Sequence, residues 1–289
     1  MPELPEVETV KNGLNVLLKG RVIDSIKYDT PKSFLCSTEE VDQYLVGAGV
    51  IGVKRRAKLL LINLDNGYSL VIHLKMTGQL VYRGTTNFGA GHPSRSLVGQ
   101  LPDKSTRVIF TFRDHSRLFF NDQRKFGWIK LERTSSLAER VYKKFGPEPL
   151  ARDFTLADFK KRLLLRPHSG IKAVLLDQSI VSGIGNIYSD ESLWVAKIHP
   201  LTKVDRLNDL KMSRLYKGMR VVLNEAIDQG GSTDRNYVDA LGRKGGYLNF
   251  ARVFRREGQS CPRCGSKIIK LKVASRGTHI CARCQKLVA

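Results

Sequence analysis

The chain is 289 residues long, 42% of them hydrophobic, and carries 49 Lys and Arg against 27 Asp and Glu, a formal charge of +22. Such a length fills one large or two ordinary domains with genuine cores, and such a charge suits a polyanionic partner. No run of about 18 apolar residues occurs, which excludes a membrane-spanning helix, and a start rich in proline and acids is no secretory signal.

The first ten residues, MPELPEVETV, set up an unusual terminus. Removal of the initiator methionine, usual before a small second residue, leaves Pro2 with a free secondary amine. An α-amino group ionises near pH ~8, so an uncharged fraction exists at neutral pH. Attack on an aldehyde-like carbon then gives a Schiff base, which from a secondary amine is a charged iminium and an electron sink. Glu3 sets a carboxyl beside it. Pro5 as the first helical residue, followed by Glu6 and Glu8, opens a helix whose positive end favours acids. Val7, Val10, Leu14, Leu17 and Leu18 form its apolar stripe and Gly20 closes it. A buried helix holds a terminus rigidly where a frayed tail does not.

Residues 21–28, 50–55, 59–64, 69–73, 79–82, 107–112, 116–121 and 127–131 read as short strands on hairpin spacing, a β-sandwich pattern. Residues 83–105, rich in Gly, Ser and Pro, read as a long exposed loop. Beyond Thr134 the apolar period becomes helical, over 156–165, 171–176, 187–196 and 212–227. The expected organisation is a sandwich domain over 1–134, a linker region over 135–152 that includes the Gly-Pro-Glu-Pro of 146–149, a helical domain over 153–255 and a small unit over 256–289.

That last unit carries the most specific spacing. Cys261 and Cys264 form one CxxC pair and Cys281 and Cys284 another, sixteen residues apart. Four soft thiolates so spaced make a closed tetrahedral zinc site on a β-hairpin, structural because no coordination position stays open. The fifth cysteine, Cys36, reads as a free thiol. Around the pairs stand Arg263, Lys267, Lys270, Lys272, Arg276 and Arg283, and Arg276 falls near the hairpin turn, where a guanidinium can fork onto a phosphate. Ser182-Gly183-Ile184-Gly185-Asn186 precedes a helix, so its amides can face an anion, although such a turn is more often only a turn. The run Lys54-Arg55-Arg56-Ala57-Lys58 is most often a solvated strand edge, and Met76 and Phe126 on their own are ordinary core candidates.

The N-terminal decapeptide, the Lys58 segment, His73-Leu74-Lys75-Met76-Thr77-Gly78, Asn121-Asp122-Gln123-Arg124-Lys125-Phe126-Gly127 and the stretch from Ser182 to Glu191 together resemble the bacterial formamidopyrimidine-DNA glycosylase family. The resemblance runs through the whole chain. It implies an α+β multidomain fold: an N-terminal helix with a β-sandwich, a helix-two-turns-helix domain and a C-terminal zinc-finger hairpin. It also implies a bifunctional DNA glycosylase and AP lyase of base excision repair that removes 8-oxoguanine and formamidopyrimidines from duplex DNA. In that picture Pro2 attacks C1′, Glu3 moves protons, Lys58 assists, Arg276 holds the phosphate at the lesion, and β- then δ-elimination cut the strand. Asn186 falls at a phosphate-binding position, and His73 and Ser105 fall on the DNA-facing side. Met76, Arg124 and Phe126 become a wedge filling the hole left by an extruded base, and residues 230–242 the loop closing over that base. Damaged double-stranded DNA is the implied partner, Zn²⁺ the implied metal, and a monomer in the bacterial cytoplasm, at the nucleoid, the implied state.

Three positions depart from the family pattern: Gln123 and Lys125 stand where many members have Pro and Arg, and Ser105 where a DNA-touching histidine is expected. Two other readings compete. An oxidised-pyrimidine glycosylase of the endonuclease VIII type is disfavoured by Leu4 and the Met76, Arg124, Phe126 set; a zinc-ribbon DNA-binding protein without catalysis is disfavoured by the intact Met1-Pro2-Glu3.

Overall fold

A computed structural model describes residues 1–92, 94–232 and 246–287. The chain forms two compact units, Met1–Lys143 with Gln229–Gly246, and Lys144–Asp228 with Tyr247–Ala289.

The first unit opens with the helix Leu4–Leu18 and continues through β1 (Ile23–Tyr28), β2 (Phe34–Leu35), β3 (Val50–Arg56), β4 (Leu59–Leu64), β5 (Tyr68–His73), β6 (Gly78–Arg83), β7 (Asn87–Gly91), β8 (Thr106–Phe112), β9 (Arg117–Asp122) and β10 (Trp128–Arg133). Two five-stranded sheets result, ordered β1-β8-β9-β6-β7 and β2-β10-β5-β4-β3, with β10 and β2 paired in parallel. Because side chains alternate across a strand, Val108, Phe110, Leu118 and Phe120 of one sheet share a buried cluster with Leu60, Ile62, Leu70 and Ile72 of the other. Val7, Val10, Leu14 and Leu18 add the helix to the same core, each contributing about 1.5–3 kcal/mol by burial. Polar groups lash the helix to β3: Asn15 Oδ1 accepts from the Val53 amide at 2.8 Å, and Arg55 Nε donates to Glu8 at 2.6 Å.

The expected sandwich is present, but the stretch 83–105 is not the exposed loop expected from its composition. It holds β7, whose Phe88 and Ala90 enter the core, and a 3-10 turn Arg95–Leu97 whose Ser96 and Leu97 are buried. The strand was hidden because glycines replace the usual β-formers. Gly91 has φ +122°, and a Cβ there would meet the Gly78 carbonyl oxygen at 2.4 Å; only glycine allows that approach. β2 was missed because two residues show no alternation.

The second unit contains the helices Leu156–Leu163, Ile171–Leu176, Asn186–Ala196 and Asp209–Asp228, then the hairpin of β11 (Ile269–Val273) and β12 (Arg276–Ile280). Thr155 and Asp158 form a reciprocal cap that starts the first of these helices. Helix Asn186–Ala196 is buried almost throughout, Tyr188 to Trp194 included, so its Ser, Asp and Glu side chains need internal partners. Glu191 accepts from the amides of Arg252, Val253 and Phe254. Residues 146–149 pack within this unit: Gly146 N donates to Gln178 O at 2.8 Å and Ser182 N to Pro147 O at 3.0 Å. No helix among the described residues is long and apolar enough to cross a membrane.

Candidate active site and nucleic-acid-binding groups

In the first unit the helix begins at Leu4, with Glu3 as its cap and Pro5 one position inside, where a missing N–H is harmless. Glu3 and Glu6 form a reciprocal capping box in which the Glu3 amide donates to Glu6 Oε2 at 2.8 Å. Both carboxyl residues are buried, at 3% and 4% exposure, while Pro2 is half-buried beside them. The other Glu6 oxygen accepts from Ser232, from its amide at 2.7 Å and its hydroxyl at 2.8 Å. Gly231, at φ +85°, lies so close that a Cβ would sit 3.1 Å from Glu6. Glu6 thus ties the chain next to Pro2 to the start of the segment expected to close over an extruded base. Of that segment, 233–242 lie outside the described residues.

Lys58 occupies the tight turn between β3 and β4, where Arg56 pairs with Leu59 and Ala57 takes φ +54°. It is buried at 6% exposure, and its charge is felt by His73. Burial first, then the cationic Lys75 and Lys58, push His73 down to about 3, so the imidazole is neutral at physiological pH. Its Nδ1 accepts from the Lys75 amide at 2.9 Å, which leaves the proton on Nε2 as a donor.

Met76, Arg124 and Phe126 come together at the surface. Met76 and Phe126 are 48% and 53% exposed, Arg124 Nη1 lies 3.3 Å from Met76 Sδ, and its guanidinium stands 4.7 Å from the Phe126 ring centre. Exposing two large apolar groups around a cation is poor packing for a monomer surface and good chemistry for entering a base stack. Asp122, fully buried, builds this arrangement. One oxygen accepts from the Thr77 hydroxyl and the Arg124 amide, the other from the amides of Phe126 at 2.8 Å and Gly127 at 2.6 Å. Neither Asp122 nor the Glu6–Ser232 tie was foreseen. The acid three residues after the cap was the only available signal for Glu6, and Asp122 gave none, because its partners are backbone amides and a threonine hydroxyl distant in sequence. Ser105, expected on the DNA-facing side, is 4% exposed; its hydroxyl bonds Asp103 at 2.6 Å, and its carbonyl accepts from the Asp122 amide at 2.7 Å. Its place is beneath the wedge loop.

In the second unit Asn186 is the first residue of its helix, after Gly185 as cap, and its Nδ2 donates to Gly277 O at 3.0 Å. Gly277 adjoins Arg276, which is exposed on β12 beside the two-residue turn of Ala274 and Ser275, both at positive φ. Asn186 and Arg276 are therefore neighbours. The strand behind them is fixed from within: Lys172 Nζ, fully buried, donates to Asp190 Oδ1 and to Thr278 Oγ1, each at 2.6 Å, while Asp190 Oδ2 accepts from the His279 amide at 2.9 Å. Arg263, counted above among the finger's basic groups, turns inward: it lies over Trp194 and donates to the Trp194 carbonyl at 3.0 Å.

The four cysteines converge, unpaired by disulfides, with all sulfurs within 4.8 Å of one another and contacts of 4.0 Å for Cys261–Cys284 and 3.4 Å for Cys264–Cys281. A zinc ion at ~2.3 Å from four sulfurs needs edges of about 3.8 Å, so the donor set fits. Backbone and side-chain hydrogen bonds from Ser266 hold the Cys264 thiol down to about 6, whereas burial pushes Cys281 up to about 12. A cation among them resolves that conflict by favouring all four thiolates.

Comparison with known proteins agrees with this layout. Residues 1–129 match the formamidopyrimidine-DNA glycosylase N-terminal domain, 145–237 the H2TH domain of the same enzymes, and 258–287 a zinc finger found in FPG and IleRS. Formamidopyrimidine-DNA glycosylase of Pelotomaculum thermopropionicum is 41% identical over 99% of this chain and 100% of its own, and that of Chloroflexus aurantiacus 42% identical over 99% and 98%. A crystal structure of a Lactococcus lactis FPG mutant in complex with a Fapy-dG containing DNA superposes with a TM-score of 0.87 at 35% identity, covering 99% of this chain and 100% of that one. The chain belongs to the formamidopyrimidine-DNA glycosylase family, as a DNA glycosylase with a structural zinc finger.

Proposed function

We propose that this DNA glycosylase is bifunctional, excising 8-oxoguanine and formamidopyrimidines from duplex DNA in base excision repair and then cutting the strand as an AP lyase, with Pro2 as nucleophile. The observation that supports this reading best is the buried Glu3–Glu6 cap: it sets a half-buried Pro2 at a rigid helix start, next to a carboxylate.

With Met1 removed, the uncharged Pro2 nitrogen forms a bond to C1′ as the N-glycosidic bond breaks, and the base leaves with the bonding electrons and takes up a proton. Glu3 handles protons around the opening sugar, and the ring-opened product is the Pro2 iminium. That cation acidifies C2′–H. Loss of this proton expels the 3′-phosphate, and a second elimination expels the 5′-phosphate. Lys58 supplies positive charge to the site, and Asn186 and Arg276 hold backbone phosphate. Met76 and Phe126 fill the gap in the stack, and Arg124, which has only donors, meets the two acceptors on the pairing edge of an orphaned cytosine. Zinc takes no part in these steps; bound to Cys261, Cys264, Cys281 and Cys284, it holds the hairpin that presents Arg276.

The test is cleavage of an 8-oxoguanine duplex by protein with a mature Pro2 and by protein whose mass shows retained Met1. The mature form should leave phosphate at both ends of a one-nucleotide gap and the blocked form should bind without cutting. Equal cutting by both would remove Pro2 as nucleophile.

A further inference from the structure

Beside the zinc ligands one buried donor has no conventional partner. Trp194, in the last turn of helix Asn186–Ala196, is 6% exposed, and its indole Nε1 finds no acceptor at full hydrogen-bond geometry. Its ring belongs to the small apolar cluster of Val253, Ile268, Cys261 and Cys281, against which Cys264 and Cys284 pack. Arg263, which stands between the two cysteines of the first pair, covers the ring with its guanidinium 3.7 Å from the centre. Nη1 and Nη2 of that guanidinium also donate to the carbonyls of Trp194 and Val195, at 3.0 and 3.4 Å. An indole N–H can only donate, and a buried donor is rarely left unserved. The side-chain acceptors this cluster offers are sulfurs, which become good acceptors once they are thiolates on a metal.

We propose that Trp194 is an outer-shell residue of the zinc site, its Nε1–H donating to the metal-bound sulfur of Cys261 while Arg263 clamps the same ring from the first cysteine pair. Within the first pair, whose Arg263 lies on the ring, Cys261 is the cysteine buried in the same cluster as Trp194, whereas Cys264 is only partly buried. The helix then grips the finger at both ends, through Trp194 at its C-terminal turn and through Asn186, bonded to Gly277, at its first residue. Metal occupancy and the seating of the Arg276 hairpin are coupled through one helix. This inference stands apart from the chemistry proposed for Pro2 and does not depend on it.

The experiment separates the N–H from the shape of the ring. In full-length protein with Trp128→Phe, Trp194 is replaced by β-(3-benzothienyl)alanine, which keeps the two-ring outline and substitutes sulfur for N–H, and in a second protein by Phe. Zinc affinity is measured by competition with a chromophoric chelator. Outer-shell partners of metal ligands are typically worth about 10- to 100-fold in affinity, so both replacements should weaken zinc by about tenfold or more. An isostere that holds zinc within twofold of the Trp194 parent overturns the proposal, whatever the Phe variant does.

Discussion

The two units position their functional groups by opposite means. In the first, carboxylates of Glu6 and Asp122 accept hydrogen bonds from backbone amides on a scaffold that the sandwich core already supports. In the second, the hairpin carrying Arg276 is a five-residue pair of strands with a small apolar cluster, and its place depends on a metal site and on the fully buried Lys172–Asp190 pair. A large core tolerates the loss of one polar tie. A small one does not, which is why the two regions should respond differently to perturbation.

Removing the metal should have the largest effect. Structural zinc supplies on the order of 10 kcal/mol of folding free energy to a unit of this size, so chelation or Cys264→Ala should unfold the finger and lower duplex affinity by roughly a hundredfold or more. One zinc per chain is expected. Thermal unfolding of the first unit should be nearly unchanged; a metal-free protein with full affinity would break the contrast.

Lys172→Met comes next. It leaves Asp190 buried without its cation, a loss of about 3–5 kcal/mol, readable in urea unfolding of the second unit. Lys172→Met combined with Asp190→Asn should recover much of it. A double variant no better than the single would show that the pair is not the seat of the effect.

Of the wedge and the sandwich, the continuous apolar run of 59–64 and the alternation of 107–112 were plain in the sequence, and so were the cysteine spacing and the helical stripes, because each is a local pattern. What was hidden is non-local. β7 was masked by glycines whose value lies in approach to β6, and Ser105 could be placed beneath the wedge loop only once Asp103 and Asp122 were known to flank it. Asp122 itself reaches Thr77 on the loop between β5 and β6, 45 positions earlier, a pairing no periodicity encodes.

The wedge gives the sharper of the smaller tests. A donor in Arg124 left without an acceptor costs about 1–3 kcal/mol, so excision opposite cytosine should exceed that opposite adenine by roughly five- to a hundredfold. Arg124→Ala should flatten the ratio in single-turnover measurements. Asp122→Ala should flatten it too, since the amides of Arg124, Phe126 and Gly127 lose their acceptor, while zinc content stays at one. An unchanged ratio in both variants would detach Arg124 from reading the opposite base.

A further effect concerns pH. His73 is held neutral down to about pH 3 in the folded state and protonates near 6.5 when unfolded. Between those values the unfolded chain binds the extra proton, so the contribution of His73 to stability is complete above pH 6.5 and is lost as pH falls toward 3. The urea midpoint should decline across that window, and less steeply in His73→Gln. Parallel declines would assign the effect to other groups.

The central claim is that a secondary amine at Pro2 does the chemistry, and borohydride reduction during incubation with an 8-oxoguanine duplex tests it most directly. A covalent protein–DNA adduct should form, and its peptide map should place the crosslink on the N-terminal peptide that begins at Pro2. Absence of an adduct in a protein that cuts the duplex, or a crosslink mapped to Lys58 or any other lysine, would contradict it.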